Sequence, residues 1–375
     1  MATELLLGIG AAAHLPCDAV LPLRERHPVA HPGFQLQVTL DDADVVASAD
    51  PRVGLMHRSA EKLFESRDWR QAMALADRHD WLSAFSSEVT VALAFEVALG
   101  IIPPERATWI RTLLAEANRI TATLAFLAPV AGPLQAEVEA LRERFTDVQE
   151  RITGGRVHPG FARVGGVAGT VSTSSLEAYR AVLADLDAVQ SRLADAVQEV
   201  TAPLAGVAVL TRDDAIALGV TGVVGRASGL ALDLRRDDPY LAYGELADVM
   251  DVVTATEGDG AARYRVLVDQ LPVSARLMAE CSAVVERLGD GPIDVPLPKV
   301  VRLPEGTSYA WIDGPLGVSG CLLVGAGEKY PWRMKIRSAS FATMQALPTA
   351  LPGTPYGLLA DAVMSFPMVM GDVDR

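Results

Sequence analysis

A segment rich in glycine and basic side chains, residues 154–167, holds the best candidates for chemistry in this sequence. It reads GGRVHPGFARVGGV and contains five glycines, two arginines and one histidine. Glycine at this density lets the backbone adopt positive φ and approach a neighbouring chain closely. One interpretation is a connector between two helices that begins with a glycine C-cap. The other is that Arg156, His158 and Arg163 are presented to a negatively charged group.

No residues in the sequence are spaced as ligands for a metal ion. The three cysteines, Cys17, Cys281 and Cys321, lie far apart and are predicted to be free thiols. His27 and His31 are four residues apart, but the prolines beside them predict a loop rather than a helical metal-binding pair. The sequence also lacks an H-E-x-x-H pair, a G-x-S-x-G elbow and a Walker loop. We therefore expect no nickel, iron or zinc on the isolated chain.

The composition argues against nucleic acid as a partner. The 375 residues carry a formal net charge of −14, whereas binding to a phosphate backbone requires a basic face. Half of the residues are hydrophobic, which is enough for one large or two moderate cores. The sequence shows neither the basic start of a signal peptide nor an apolar stretch of about 18 residues. We therefore expect membrane association only through partner proteins.

Helical periodicity dominates the middle of the chain. Pro104 and Glu105 are typical of a helix N-terminus, and the apolar residues from Ile110 to Leu127 form one stripe. Further helices are predicted over residues 55–66, 81–99, 134–152 and 260–288. Ser174 and Glu177 have the spacing of a capping box that opens another helix. Several long antiparallel helices imply a bundle core.

Short β-strands are predicted on both sides of these helices. A strand at 4–10 and a hairpin of strands 34–40 and 45–49 precede them, and strands 307–313, 320–324 and 333–337 and short helices 344–350 and 356–364 follow. The predicted fold is mainly α with small β regions (α+β), built on a bundle of long helices. We divide it into an N-terminal β region (1–54), a helical bundle (55–290) and a C-terminal α+β segment (291–375). The three parts are expected to pack as one integrated unit.

The order of these motifs resembles the D-type subunits of NADH-quinone oxidoreductase, respiratory complex I. Residues 154–167 match the family's R-M-H-x-x-Y-F-R-P-G-G-V, and residues 49–63 match its D-P-H-x-G-x-x-H-R-G-x-E-K-L. Further matches follow in order at 105–120, 218–229, 233–235, 239–240, 257–264 and 335–342. The resemblance covers roughly residues 35–375. It implies a fold similar to the large subunit of nickel–iron hydrogenases.

Hydrogenase activity is nevertheless not expected. Those enzymes hold their metal with two C-x-x-C pairs, one early and one late, and thiolates suit such a soft metal centre. Here the corresponding segments, residues 78–82 and 365–368, contain no cysteine.

The resemblance places three basic side chains next to an iron–sulfur cluster on a partner, the B-type subunit of the complex. It implies that Arg58, His158 and Arg163 face this cluster. A nearby arginine stabilises the reduced cluster and raises its potential. A histidine that titrates near neutrality can couple its proton to the same charge. For Arg58 the alternative is an ordinary helix-terminal ion pair with Glu61 or Glu65.

The quinone end departs from the family pattern. The resemblance implies a quinone-binding histidine in the loop before the first hairpin strand. His31 matches it, although this loop has one residue more than the family pattern. The family's tyrosine in D-R-L-D-Y is Trp81 here, and its aspartate after the E-R-A helix falls near Pro133. Tryptophan supplies one N–H but no phenolic proton, and proline supplies no donor. The cluster-facing half is therefore predicted to be preserved and the proton-delivering half altered.

Taken with the resemblance, the sequence predicts a D-type component of a complex I-type NADH-quinone oxidoreductase. Its expected partners are the B-type and C-type subunits, the membrane-arm subunits and a quinone. No cofactor is expected on this chain alone, since the resemblance assigns the cluster to the B-type partner and NAD to the wider complex. The expected location is the cytoplasmic face of the cell membrane, as a peripheral protein. The alternative is a non-catalytic assembly or scaffold paralogue that has lost quinone chemistry.

Overall fold

The computed structural model describes residues 3–8, 17–24, 27–31 and 33–375. Its α-helices are α1 (Ala60–Phe64), α2 (Trp69–Met73), α3 (Ala84–Leu99), α4 (Glu105–Leu127), α5 (Gln135–Thr153), α6 (Thr173–Thr201), α7 (Arg212–Ala217), α8 (Gly222–Ala227), α9 (Leu234–Asp237), α10 (Gly260–Leu288), α11 (Ala339–Ala350), α12 (Leu359–Met364) and α13 (Met370–Val373). Short 3₁₀ segments lie at 128–130, 132–134, 202–204, 243–249 and 356–358.

Helix α4 forms the centre of a bundle of long helices. It packs along α10 and α5, and α10 in turn packs along α6. The apolar stripe of α4 is buried, as its periodicity predicts. Its other faces are buried too, so polar residues such as Arg111, Glu116 and Arg119 lie in the interior. Each of these needs a partner there, because an unpaired buried charge is costly.

Local sequence signals fix most helix ends. Asp259 accepts the Ala262 N–H at 2.7 Å, and α10 begins at the predicted residue. Gly154 adopts a left-handed φ of 78° and ends α5, as predicted for a glycine C-cap. The predicted capping box at Ser174 is wrong. Ser172 is the cap, and its hydroxyl accepts the Ser175 N–H, so α6 starts earlier.

Two larger sheets flank the bundle. The first has the order β2-β1-β3-β4, with strands Ala19–Leu21, Thr3–Gly8, Gln35–Leu40 and Val46–Arg52. The second is an antiparallel sheet of β7 (Gly306–Gly314), β8 (Gly317–Gly325) and β9 (Arg333–Arg337). A ribbon of β5 (Ala162–Arg163) and β6 (Gly166–Val167) lies within the glycine-rich segment. The last two residues of the predicted strand 4–10 lie outside the described residues.

The predicted fold class, an α+β bundle of long helices with an N-terminal hairpin and C-terminal strands, is confirmed. One hydrophobic core contains residues from all three predicted parts, such as Leu36, Ile120 and Met344. The boundaries of the parts stay a prediction. The helix expected at 55–66 is shorter, because Gly54 and Ser59 have positive φ and residues 55–59 form a loop before α1. Within the described residues, no helix is both long and apolar enough to cross a membrane.

Candidate functional site

Both predicted quinone-binding residues line one cavity of about 310 Å³. We call it the histidine cavity, and the residues on its wall include His31, Arg58, Arg78, His79, Trp81 and Arg375. They come from the loop before β3, the loop before α1, the loop between α2 and α3, and the segment after α13. A volume of this size is within the range of small-molecule sites. The tertiary structure thus joins His31 and Trp81 to Arg58, which the sequence assigned to a different role.

His31 has a defined protonation pattern. Its Nδ1 accepts the Gly33 N–H at 3.0 Å, so the neutral ring carries its proton on Nε2. Burial lowers the pKa of His31 below its ordinary value. A Cβ on Gly33 would lie 2.6 Å from Cγ of Met56. A side chain at position 33 would therefore have to displace Met56, which lines the same cavity.

Trp81 separates the histidine cavity from a smaller cavity of about 170 Å³. Its side chain is 37% exposed, so it keeps contact with solvent at the edge of the site. The indole can stack on a flat ring and donate one hydrogen bond, but it does not titrate in the neutral range. Trp81 can therefore hold a quinone headgroup without supplying a proton.

Pro133 lies away from this site. It is exposed in the 3₁₀ segment Gly132–Leu134 and is not among the residues that line the histidine cavity. Helix α4 ends at Leu127, and the turn that follows runs against Val200 of α6. The resemblance placed the family's aspartate near Pro133, but position 133 is not on the wall of the histidine cavity.

Arg58 is exposed and makes no ion pair with any described residue. Glu61 accepts from Arg333 at 2.6 Å and lies 3.2 Å from Lys335. Glu65 is likewise 2.8 Å from Arg333. The alternative interpretation, an ion pair of Arg58 with Glu61 or Glu65, is wrong. The charge of Arg58 remains available at the rim of the histidine cavity.

His158 is held by a buried carboxylate rather than by the cavity wall. Its Nδ1 lies 3.0 Å from Oδ2 of Asp77, which is 2% exposed. Asp77 also lies 3.2 Å from Nε of Arg78. The carboxylate therefore fixes the orientation of the imidazole ring.

Arg163 lies on a second cavity, of about 650 Å³, that we call the arginine groove. Its wall includes Arg70, Asp77, Arg78, Arg163, Asp294 and Leu297. Arg78 lines both the groove and the histidine cavity. The three predicted cluster-facing residues are therefore not in one place: Arg58 is on the first cavity, Arg163 on the second, and His158 contacts Asp77 beside the second.

Two glutamates of α3 hold the glycine-rich segment, and sequence reasoning missed the role of both. The carboxylate of Glu88 accepts the N–H groups of Gly160, Phe161 and Ala162 at 2.6, 2.9 and 2.9 Å. Burial raises the pKa of Glu88 to about 7, and the charge of Asp77 adds to this rise, whereas the three N–H donors oppose it. Glu88 therefore sets the backbone next to His158.

Glu96 holds the other end of the same segment. Its carboxylate accepts the Gly165 N–H at 2.7 Å and pairs with both terminal nitrogens of Arg111 at 3.0 and 2.7 Å. Glu88 and Glu96 are eight positions apart, a spacing that places both on one face of a helix. The sequence signal for this role was a pair of carboxylates at helical spacing in an otherwise apolar helix.

The side chain of Arg156 contacts α5, the helix before it in the chain, rather than a partner. Its guanidinium pairs with Glu143, with Asp147 at 2.7 Å and with Glu150 at 2.8 Å, all on α5. Because these groups are exposed, solvent and salt screen the pairs strongly. We expect Arg156→Gln to leave the thermal unfolding midpoint and the assembly of the protein unchanged. Differential scanning calorimetry at low and high salt checks this, and a clear loss of stability in both would contradict it.

Six charged side chains form a buried network beside α4. The network consists of Glu116, Arg119, Arg226, Asp233, Arg235 and Asp313. Arg235 lies 3.0 Å from Glu116 and 2.7 Å from Asp233. Burial would raise the pKa of Glu116, but the charges of Arg235 and Arg119 lower it below its ordinary value. Three residues of the family motifs therefore stabilise the core: Arg226, Asp233 and Arg235.

The described residues contain no group of three or more His, Cys, Asp or Glu side chains arranged to hold a metal ion. The late segment that lacks cysteine instead packs against a buried arginine. Arg263 donates to Oγ of Ser365 at 2.9 Å, and its guanidinium lies 3.8 Å from the ring centre of Phe366.

Comparisons with known proteins give a consistent result. Residues 136–301 and 297–375 match the family described as respiratory-chain NADH dehydrogenase, 49 Kd subunit. A D-type subunit of NADH-quinone oxidoreductase from Salinispora arenicola, numbered 2 in that organism, is 46% identical, over 99% of this chain and 98% of the relative. The protein of the same name from Salinispora tropica is 47% identical, over 99% of this chain and 97% of the relative.

A more distant relative has an additional part. The C/D-type subunit of NADH-quinone oxidoreductase from Phocaeicola vulgatus is 31% identical over 96% of this chain, which spans 69% of that protein. The Salinispora proteins align with 99% of this chain, which includes the glycine-rich segment 154–167. On these matches, the chain belongs to the family of D-type subunits of NADH-quinone oxidoreductase, the 49 kDa subunits of the respiratory-chain NADH dehydrogenase.

Proposed function

We propose that this chain docks on the iron–sulfur partner of a complex I-type enzyme, its B-type subunit, and forms part of the cavity where quinone is reduced. In this proposal, the electron transfer is coupled to proton translocation by the whole complex. The observation that carries the proposal is the histidine cavity, where His31 and Trp81 share one wall with Arg58. An imidazole donor and an indole suit a flat headgroup with carbonyl oxygens. The free arginine at the rim suits an adjacent negative centre.

The electron donor in this proposal is the cluster of the iron–sulfur partner. A cluster gains negative charge on reduction, so the unpaired Arg58 stabilises the reduced state. Arg78 extends the positive surface from the histidine cavity to the arginine groove, where Arg163 lies. His158 is held in one orientation by Asp77 at 3.0 Å, beside the same groove.

The family supports the other subunits of the complex as partners of this chain. The relative named as a C/D-type subunit supports a C-type subunit as a neighbour of this chain. With no membrane-crossing helix among the described residues, membrane-arm subunits would hold the chain at the cytoplasmic face of the membrane. NAD would be bound elsewhere in the complex.

Replacing the free arginine should change the partner's cluster. We expect Arg58→Met to lower the midpoint potential of that cluster and to leave assembly intact, because one positive charge is removed from its surroundings. A redox titration followed by EPR measures the midpoint. Arg192→Met, on the exposed face of α6, removes the same charge away from both cavities and should leave the midpoint unchanged. An equal midpoint in wild type and Arg58→Met would contradict a cluster-facing Arg58.

Quinone reduction itself distinguishes the proposed function from the scaffold alternative. Membranes that contain this chain as their only D-type subunit should reduce a short-chain quinone with NADH. The alternative, a paralogue without quinone chemistry, predicts an assembled complex whose cluster is reduced by NADH while quinone is not. The measurement is quinone-reductase turnover normalised to the EPR signal of the cluster.

A further inference from the structure

The histidine cavity contains a second imidazole that the function described so far does not use. His79 lies on its wall together with His31 and Trp81. It is 7% exposed, and its Nδ1 is buried with no hydrogen-bond partner among the described residues. A buried unpaired ring nitrogen costs free energy, which a bound oxygen can recover.

A carboxylate lies behind this ring. Oδ1 of Asp372, on α13, is 4.0 Å from Nε2 of His79. The other carboxylate oxygen accepts the Ser340 N–H at 3.1 Å, which fixes the side chain of Asp372. A Cβ on Gly371 would lie only 2.4 Å from the His79 carbonyl oxygen. Because only glycine allows so close a contact, α13 packs directly on the backbone of His79 and holds imidazole and carboxylate together.

We propose that His79, oriented by Asp372, is the catalytic acid that protonates the quinone headgroup in this cavity. The proposal rests on the proposed function, since it requires quinone in the histidine cavity and electrons from the partner's iron–sulfur cluster. It assigns the proton delivery to a pair on the cavity wall, so that Trp81 is needed only to hold the headgroup. Pro133, exposed and distant, plays no part.

The chemistry balances as a two-electron, two-proton reduction. Two electrons arrive from the partner's cluster at the quinone. The N–H bond of a His79 imidazolium breaks while an O–H bond forms on one quinone oxygen, which leaves a neutral ring. The second oxygen takes its proton from solvent. The ring is neutral again at the end of the step and takes its next proton from solvent when the next reduced quinone forms, and the product is the hydroquinone.

The surroundings of His79 favour proton uptake only when negative charge arrives. Burial lowers the pKa of His79, the charges of Asp372 and Asp77 raise it, and Arg375 lowers it. Burial and the charge of Asp372 raise the pKa of the neighbouring Asp80 to about 7. The resting ring is therefore neutral at physiological pH. A reduced quinone adds negative charge beside the ring and stabilises the imidazolium, so proton uptake follows electron transfer.

The test compares His79→Gln with wild type in membranes, with menadione and duroquinone as electron acceptors. A positioned general acid contributes about 10²–10⁴-fold, and water replaces part of this effect. We expect kcat to fall by at least about ten-fold with KM changed by less than about three-fold. Wild-type kcat should fall as the pH rises, because the protonated ring is the acid, whereas the residual rate of the variant should depend little on pH. EPR should show the partner's cluster still reduced by NADH.

Two further variants separate proton delivery from structure. His57→Gln is the matched control, because His57 is a nearby histidine that contacts the Asp374 backbone and does not line the cavity. It should retain turnover within about two-fold. Adding Trp81→Tyr to His79→Gln should restore turnover, since a phenol in the same cavity supplies a proton. Rescue by tyrosine is a result that a purely structural role of His79 does not produce.

The results of these experiments test the role of His79 separately from the proposed function. Unchanged kcat and an unchanged pH profile in His79→Gln, with active wild type, would overturn the inference and leave the proposed function standing. Wild-type membranes that reduce the cluster but neither quinone would overturn the proposed function. If His79→Gln does not assemble, NMR of the wild-type full chain labelled with ¹³C-histidine tests whether His79 contacts the quinone. Menadione should shift the His79 ring signal, and no shift at saturating menadione would overturn the inference.

Discussion

Replacing Arg235 with methionine is expected to destabilise this protein by about 3–5 kcal/mol, a large part of a typical folding stability. The guanidinium lies between Glu116, at 3.0 Å, and Asp233, at 2.7 Å, and all three side chains are buried. Methionine fills a similar volume but leaves both carboxylates in the core without their main positive partner. Neither carboxylate can reach water, so each must be protonated or remain charged at high cost.

The adjacent residue provides a matched control. Arg236 is exposed and pairs with Asp237 on the surface, so Arg236→Met should change stability by less than about 1 kcal/mol. Urea unfolding of the purified full chain, followed by circular dichroism, measures both variants. Equal midpoints for Arg235→Met and wild type would mean that the network can relax or hydrate, and would contradict the central role given to Arg235.

Replacing Glu88 with glutamine is expected to remove a large pH dependence of stability. The pKa of this carboxyl is about 7 in the folded chain, against an ordinary value of 4.5. Between these values the folded protein holds a proton that the unfolded chain releases. The stability contributed by Glu88 is therefore fully present below pH 4.5 and is lost as the pH rises through 7. The difference corresponds to about 3 kcal/mol, because one pKa unit is about 1.4 kcal/mol.

The measurement is the unfolding free energy of wild type and Glu88→Gln at pH 5 and pH 8. From pH 5 to pH 8, the unfolding free energy of Glu88→Gln should rise by about 2–3 kcal/mol relative to that of wild type, because glutamine does not titrate. Glu199→Gln, on the exposed face of α6, should follow wild type at both values. A constant difference between Glu88→Gln and wild type would show that Glu88 does not titrate in this window.

Function at the level of the family followed from the sequence. The prediction of a complex I component that acts as part of an oxidoreductase is confirmed by the family match and by relatives that cover nearly the whole chain. Many motifs in a fixed order carried that inference. The detailed roles of His31, Trp81, Arg58, His158 and Arg163 stay predictions, although the structure gives each a defined environment.

Local sequence determined the elements of this fold. The apolar stripe after Glu105 predicted α4, and helical periodicity predicted α10 over residues 260–288, because both patterns arise within a few residues. The alternation on both sides of Asp41 and Asp42 predicted the β3–β4 hairpin for the same reason. The hydroxyls of Ser172 and Ser174 both lie near the start of α6, and only the geometry shows that Ser172 is the cap.

Only the tertiary structure decided which chemical groups meet. His79 and Asp372 are 293 residues apart in sequence, and Glu88 and Gly160 are 72 residues apart. No periodicity encodes such contacts, because they depend on how α3 and α13 pack on the rest of the core. The same packing placed Pro133 outside the cavity and left Arg58 free at its rim. The sequence by itself determined the elements and the family, and long-range packing determined the site.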